Sequence, residues 1–437
     1  MAYTFYGGVH PPPSKFTYDR PVKKAFIPKK VIIPLVQHTG SPAEPVVAVG
    51  DSVAVGALVG KATGFISSNV HASISGKVTR LFYGPTPAFG RALSIMIEAQ
   101  GGEDQEFKAA KRCDIESLSG EEIVAIVRDA GVVGLGGAAF PSHVKLSPPK
   151  GKLIDAVIVN GAECEPYLTC DHRLMVERPK EILRGLALIT RVLGVKDAYI
   201  GIEDNKLAAI YAMGQALKVM ASDLPGVNVK VVSLKTKYPQ GAEKQVIKAI
   251  LNRVVPAGGL PMDAGCVVHN VGTVLAIYEA VYFSKPLIER VITVTGSCVK
   301  EPMNITVRVG TLFRDLIEAF GGFVKEPRKA VVGGPMMGLA QYTMDVPVTK
   351  RVGGIVFFSK DEVSQIKEGV CIRCGKCIDI CPMKLSPTTL MQYVKKERFS
   401  DAKALGIVNC FECGACAYIC PSKIHLLDYM KYGRAKI

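Results

Sequence analysis

The sequence predicts a multidomain chain of mixed α/β and α+β class, and three observations predict it. Between residues 154 and 253, short apolar runs alternate with stretches of helical period, the pattern of a mostly parallel α/β domain. The first 100 or so residues are instead rich in Val, Gly and Pro and carry only short alternating runs, which reads as a separate β domain. Near the C-terminus, eight of the thirteen cysteines fall into two copies of one spacing. A chain of 437 residues has room for about three or four domains.

In the N-terminal part, Val31-Ile32-Ile33, Val46-Val47 and Val53-Ala54-Val55 read as strands, and Gly50-Asp51 as a turn. A helix starts at Ser119, whose spacing to Glu122 is that of a capping box, and ends at Gly131. Ile154–Val159 reads as a buried strand. Residues 180–193 form a helix with Ile182, Leu186, Ile189 and Leu193 on one face. A strand at Ala198–Ile202, a helix at 206–220, a strand at Val227–Leu234 and a helix at 241–253 follow. From residue 286 the character changes. Two short strands, Val291–Val294 and Ile305–Val309, precede a helix at 311–320 and Gly321-Gly322, which fits a small β-grasp unit. The expected division is 1–114, 115–285, 286–358 and 359–437.

The cysteines carry the sharpest signal. Cys371, Cys374, Cys377 and Cys381 are followed by Pro382, and Cys410, Cys413, Cys416 and Cys420 by Pro421. This is C-x2-C-x2-C-x3-C-P twice, the bacterial pattern for a pair of [4Fe–4S] clusters. One tight loop supplies three thiolates to a cubane, and the fourth comes from the other motif. Cys371, Cys374, Cys377 and Cys420 are therefore expected around one cluster, and Cys410, Cys413, Cys416 and Cys381 around the other. Gly375 and Gly414 leave room for backbone near sulfide. Zinc also takes C-x2-C pairs but closes at four ligands, and the third Cys and the Cys-Pro ending argue against it. The segment between Cys381 and Cys410, with Leu390, Tyr393 and Val394, is long and helical, so a helical variety of the two-cluster ferredoxin module is expected.

Composition limits the function classes. No run approaches the roughly 18 consecutive apolar residues of a membrane-spanning helix, and MAYTFYGGVHPPP lacks a secretory signal pattern. Thiolates bound for clusters imply a reducing compartment, so disulfides are not expected. Net charge is +15, and two oxidised clusters with their thiolates would remove only about four charges. Lys and Arg are scattered and no nucleic-acid motif is present, so the basic surface points to an acidic redox partner or a membrane-bound complex, or is simply solvated.

Residues 131–145 read GVVGLGGAAFPSHVK. Gly134, Gly136 and Gly137 allow backbone N–H groups to face a phosphate, and Lys145 adds charge. The dinucleotide fingerprint is not met, because the first and last glycines are misplaced; the loop alone could equally be a turn. Asn160-Gly161-Ala162-Glu163-Cys164-Glu165-Pro166 sits at the C-terminal end of an expected strand, where α/β ligand sites gather.

These residues carry a resemblance. Gly134–Lys145, Asn160–Pro166, Tyr238-Pro239-Gln240-Gly241-Ala242-Glu243 and His269-Asn270-Val271-Gly272-Thr273 occur in the order found in the flavin- and NADH-binding subunit of respiratory complex I. That likeness covers about residues 115–350. The stretches Val49–Val53 and Val70–Val78 resemble barrel-sandwich domains related to biotinyl and lipoyl carriers, but Lys61 and Lys77 lack the carriers' Met-flanked hairpin tip, so an unmodified docking domain is expected. With the doubled cysteine motif, the whole chain resembles the RnfC family, the flavin and iron–sulfur components of Rnf-type electron transport complexes.

The resemblance implies an N-terminal barrel-sandwich hybrid, a Rossmann-like α/β flavin/NADH domain, a β-grasp domain of the soluble-ligand-binding type and a two-cluster ferredoxin domain. It implies FMN held non-covalently along Gly134, Gly136, Gly137 and Lys145, with Asn160, Glu163, Asn270 and Thr273 completing the pocket. NAD(H) would stack on the flavin, with Phe140, Glu165, Tyr238 and Glu243 as nucleotide contacts and Gly241 within the same motif. It implies no side-chain acid or base at the hydride step. Three positions depart from complex I: Leu135 replaces an arginine, Ala139 a glycine, and Ala242 the first acid of a Glu-Glu pair. Implied partners are NADH, membrane-embedded and ferredoxin-like subunits of one complex, and indirectly ferredoxin; the implied place is the cytoplasmic face of the bacterial membrane, peripherally. Two other readings fit the same motifs: a soluble flavo-iron–sulfur reductase, serving cobalamin or an amino-acid reductase, and a relay subunit without flavin. Cys113, Cys164, Cys170, Cys266 and Cys298 and the seven dispersed histidines lack metal-ligand spacing and are expected to be structural.

Overall fold

The computed structural model describes residues 3–24, 26–88, 90–101, 105–363 and 367–437, so Met1 and Ala2 of the N-terminal run lie outside it. The β-rich N-terminal unit is two facing sheets. One is antiparallel, in the order Lys30–Pro34, Arg91–Glu98, Gly76–Pro85, Ser52–Val53; the other is Glu44–Pro45, Leu58–Lys61, Val70–His71. Val31, Ile33, Val59, Val70, Ile74, Ile95 and Ile97 fill the space between them. The strands expected at Val46-Val47 and Val53–Val55 are shorter or shifted, because the turns at Gly50 and Gly56 take positive φ and break the runs. Lys61 and Lys77 lie on exposed strand positions.

The α/β unit holds four parallel strands in the spatial order Asn228–Leu234, Asp197–Glu203, Ala156–Gly161, Cys266–Asn270. The first three in sequence step outward one way, and the fourth returns to the other side of Ala156–Gly161. The strand order therefore reverses between Ala156–Gly161 and Cys266–Asn270, where Asn160 and Asn270 are register partners. A crevice opens at such a reversal in α/β sheets. The helix Gly120–Asp129 begins with a complete Ser119–Glu122 capping box, and Pro179–Leu193, Leu207–Val219 and Glu243–Leu251 lie close to the spans expected. The strand Cys266–Asn270 and the helices Cys170–Glu177 and Val271–Phe283 had no counterpart in the sequence reading. Val271–Phe283 is buried along nearly its whole length, so its residues are apolar on every side and show no helical period.

The β-grasp unit is a six-stranded mixed sheet, in which Met303–Arg308 and Glu289–Thr295 are central to a core with Phe313, Leu316 and Phe357. Its edge strand, Val22–Lys23, comes from the N-terminal arm and runs parallel to Met303–Arg308. In the cysteine module, Pro387–Lys395 and Leu426–Ala435 bury Leu390, Met391, Val394, Leu426 and Met430 together. Arg373 and Glu412, Gly375 and Gly414, and Lys384 and Lys423 repeat the same positive-φ kinks in its two halves.

Lys350 ties three units together. Its buried Nζ donates to the carbonyls of Asn69 and Gly131, each at 2.7 Å, and burial pulls its pKa down to about 7. An unfolded lysine keeps its proton to a pH of about 10.4, so between those values the unfolded chain binds more protons and stability rises with pH. We expect the protein to gain about 2 kcal/mol between pH 7 and 9 from this group, and Lys350→Met to flatten that rise. Anaerobic thermal unfolding of both across this range checks it; parallel curves would remove Lys350 as the cause.

Candidate functional site

The glycine-rich loop lies over the strand-reversal point. Its neck is closed by the Gly134 N–H donating to the Phe140 carbonyl at 2.8 Å. The Leu135 N–H donates to Thr273 Oγ1 at 2.8 Å, which pins the loop to the first turn of the buried helix Val271–Phe283. Asn270 caps that helix by accepting from the Gly272 N–H at 2.9 Å. Its amide also donates to Asp171 Oδ2 at 2.7 Å. A Cβ on Gly136 would stand 2.9 Å from the Asn270 side chain, so glycine there is required by packing. Gly137 is different: its φ is not positive and a Cβ would meet nothing within 4 Å. Among the described residues, nothing demands glycine at 137.

Ala139 is held at φ 54°, the left-handed region in which a methyl costs about 1–2 kcal/mol. That is the physical reason a glycine suits this position. The barrel-sandwich unit braces the same segment: Thr39 Oγ1 donates to the Ala138 carbonyl at 2.6 Å and the Thr39 N–H to the Ala139 carbonyl at 3.2 Å. Arg290, buried in the β-grasp sheet, donates to the Leu135 carbonyl at 3.1 Å from below. This arginine was invisible in the sequence reading, because its approach depends on how two units pack.

The other expected site residues surround the loop in two groups. Lys145 pairs with Glu243 at 2.6 Å and also donates to the Val268 carbonyl at 3.0 Å. Asn160 donates to the Gly241 carbonyl at 2.8 Å, and a Cβ on Gly241 would stand 3.3 Å from Cys164 Sγ. His269, beside Lys145, keeps its Nε2 buried without a partner, as Gln240 does both ends of its amide. Burial and then the Lys145 charge hold His269 neutral, with a pKa lowered to about 3. Unpaired buried groups of this kind are what a polar ligand would satisfy.

Glu163 and Glu165 each accept backbone hydrogen bonds within the protein. The Glu163 carboxylate accepts from the N–H groups of Asp171 at 2.7 Å and His172 at 3.2 Å, at the start of Cys170–Glu177. Burial, and then the Glu163 charge, pushes neighbouring Asp171 up to about 7. Glu163, Cys170 and Asp171 have ligand atoms within 4.8 Å of one another. Glu165 reaches the β-grasp unit and accepts from Met336 at 3.1 Å and Met337 at 2.8 Å. Burial raises its pKa to about 7. Lys15 of the N-terminal arm ties down the segment 163–168 by donating to the carbonyls of Glu163, Glu165 and Leu168. Phe140 is half-buried at the end of the glycine loop. Tyr238 is 1% exposed, and its hydroxyl donates to the Cys413 carbonyl at 2.6 Å, so the nucleotide contact expected of it gives way to a contact with the cysteine module.

The eight motif cysteines line two hollows. Cys381, Cys410, Cys413 and Cys416 line one of about 410 Å³; Cys371, Cys374, Cys377 and Cys420 line one of about 320 Å³. Each takes three sulfurs from one motif and the fourth from the other. Burial pushes Cys413 up to about 12; a backbone N–H from Ala415 opposes this, while Cys410 and Cys381 add to it. Four such thiols cannot ionise together without a cation among them, and backbone N–H groups already aimed at sulfur favour the thiolate. This donor set fits an iron–sulfur cluster. Gly414 is tight for a reason outside the module: a Cβ there would stand 2.8 Å from the Met336 carbonyl. Gly375 has open space instead.

The two hollows differ in position. The Cys381/Cys410/Cys413/Cys416 hollow meets the α/β unit through Tyr238, and its lining residue Met383 accepts from Gln245 Nε2 at 3.5 Å. The other makes no such contact among the described residues and is flanked by Val370 at 88% and Ile372 at 67% exposure. Among the described residues, no helix is long and apolar enough to cross a membrane.

Comparison with known proteins gives a consistent series along the chain. Residues 3–102 match the RnfC barrel sandwich hybrid domain, 127–279 the Nuo51 FMN-binding domain, 291–340 the SLBB domain and 370–424 the 4Fe-4S dicluster domain. The chain is 48% identical over 404 residues to the C component of the proton-translocating ferredoxin:NAD(+) oxidoreductase complex of Clostridium ljungdahlii, covering 92% of this chain and 87% of that one. It is 42% identical to the counterpart in the Na(+)-translocating complex of Acetobacterium woodii, with 92% and 89% covered. It is 38% identical to the corresponding component of the ion-translocating oxidoreductase complex of Rhodobacter capsulatus, with 93% and 78% covered. Among solved structures, an NAD+-reducing [NiFe]-hydrogenase in the H2-reduced state shares the fold, with a TM-score of 0.54 at 18% identity over 74% of this chain and 64% of that one.

Proposed function

Because this chain belongs to the RnfC family of components of ion-translocating ferredoxin:NAD(+) oxidoreductase complexes, we propose that it exchanges electrons between NAD(H) and FMN and passes them through two [4Fe–4S] clusters in a fixed order. It is an oxidoreductase component with an FMN domain and a dicluster domain. When bound, FMN takes a hydride as two electrons and releases them singly, which two one-electron clusters require. The residues we assign to FMN are Gly134, Gly136, Gly137, Lys145, Asn160, Glu163, Asn270 and Thr273, with Gly241 in the nucleotide motif. The Gly136 and Gly137 amides would face the phosphate beside the Lys145–Glu243 pair, while Asn160 and Asn270 frame the crevice. Phe140, Glu165 and Glu243 are assigned to the nucleotide side, and the eight motif cysteines to the clusters as the two hollows divide them. The single observation supporting the order is the hollows' placement: the Cys381-containing one touches the α/β unit through Tyr238 and Gln245, and the Cys420-containing one lies beside exposed Val370 and Ile372. With the groups bound, electrons leaving the crevice would meet the site of Cys381, Cys410, Cys413 and Cys416 before that of Cys371, Cys374, Cys377 and Cys420.

The units 1–114, 115–285, 286–358 and 359–437 serve this as dock, flavin site, brace and relay, with residues 3–24 an arm that touches three of them. The chain works as one subunit of a multi-subunit complex. We further assign its partners to membrane-embedded and ferredoxin-like subunits, its place to the cytoplasmic face of the membrane, and its link with ferredoxin to those partners, which also determine the coupled ion. Anaerobic purification with cofactor analysis tests the reading. We expect about one FMN and about eight irons per chain, with bleaching of the flavin band on adding NADH. Iron without FMN, or FMN unresponsive to NADH, would contradict it.

A further inference from the structure

We propose that Tyr238 is the positioning residue that joins the flavin crevice to the inner cluster, through the hydrogen bond from its hydroxyl to the Cys413 carbonyl. The inference rests on the preceding assignment of Cys381, Cys410, Cys413 and Cys416 to a cluster. Tyr238 lies beyond the C-terminal end of Asn228–Leu234, in the same short segment as Gly241, which contacts Cys164 and Asn160. Its ring packs in one apolar cluster with Val9, Ala415, Cys164 and Cys413. One side chain thus spans from the crevice wall to a cluster loop.

The backbone around Tyr238 is built to hold that ring still. Its N–H donates to the Val9 carbonyl and its carbonyl accepts from the Val9 N–H, both at 2.8 Å. The Gly8 N–H donates to the Ile380 carbonyl at 2.8 Å, next to Cys381. Gly7 and Gly8 have φ of 76° and 88°, and a Cβ on either would strike backbone, Ile380 O at 2.6 Å or Tyr238 O at 2.8 Å. Lys237 Nζ donates to the Phe5 and Gly7 carbonyls and sits 3.9 Å from the Phe5 ring centroid. The arm is therefore a strap laid between the flavin unit and the cluster module, and Tyr238 is where both meet. On the cluster side, Cys413 is fixed from two directions: its carbonyl by Tyr238, and the following Gly414 by close approach to Met336. The Ala415 N–H, which stabilises the Cys413 sulfur, belongs to the same turn. Removing the phenol oxygen frees the Cys413–Gly414 peptide and leaves the fold and the crevice intact.

The test is Tyr238→Phe in the full-length protein, loaded anaerobically beside the wild type. FMN and iron content and the rate of flavin bleaching by NADH are expected to stay at wild-type level. The electron paramagnetic resonance (EPR) signal of the reduced inner cluster is expected to shift, and its reduction by the flavin to slow about tenfold, the scale of one hydrogen bond. An unshifted signal together with an unchanged flavin-to-cluster rate would overturn the proposal; a merely structural phenol moves neither. If Y238F loads no cofactors, Tyr238→3-fluorotyrosine, which keeps the ring and strengthens the phenol as a donor, decides: a shifted inner-cluster signal supports the proposal and an unshifted one overturns it. A wild type lacking FMN or iron would instead defeat the functional reading beneath it.

Discussion

Replacing Cys381 by alanine is expected to remove about four of eight irons and abolish the same EPR signal that Cys410→Ala abolishes, while NADH still bleaches the flavin. Cys420→Ala is expected to remove the other signal, the one lost in Cys371→Ala. The reason is the crossed lining of the two hollows, in which each motif lends its fourth sulfur to the other. Were each motif to hold its own cluster, Cys381→Ala would pair with Cys371→Ala instead. The functional consequence is larger still. Without the inner cluster, the outer one has no path from the crevice, so electron delivery to any external acceptor should fall by orders of magnitude.

The second large effect is expected at Gly137. Its Cβ position is open, so Gly137→Val should leave stability and iron content unchanged. If FMN lies along the loop, the new side chain occupies its place. A steric conflict of about 1–3 kcal/mol reduces affinity by roughly tenfold or more, read as FMN lost on gel filtration. Gly136→Val is the contrasting control, because it meets Asn270 within the protein and should lower stability as well. Full FMN retention in Gly137→Val would move the flavin off this loop.

Much of the architecture was legible because its signals are local. The cysteine spacing specifies the two cluster loops, and the Ser119–Glu122 box starts its helix where the pattern places it. The glycines at 134, 136 and 137 mark the loop, and strand–helix alternation marks the parallel sheet. What escaped was non-local. Val271–Phe283 has no amphipathic face, since it is surrounded by the sheet and by other helices, and Val22–Lys23 becomes a strand only because Met303–Arg308 offers an edge. The roles of Asp171, Arg290 and Lys15 arise from contacts between distant segments, which spacing does not encode. Glu163 could be singled out from its motif, but its use as a helix cap could not, because the helix it caps was itself unrecognised.

The central claim is the order of electron flow from the crevice through the Cys381-containing cluster to the Cys420-containing one. Rapid mixing of the anaerobic holoprotein with less than one equivalent of NADH, freeze-quenched over successive times and read by EPR, tests it most directly. The two signals are assigned beforehand from the Cys381→Ala and Cys420→Ala variants. The account predicts flavin reduction first, then the inner signal, then the outer one, with no outer signal in Cys381→Ala. An outer signal that rises first, or that persists at the wild-type rate in Cys381→Ala, would contradict it.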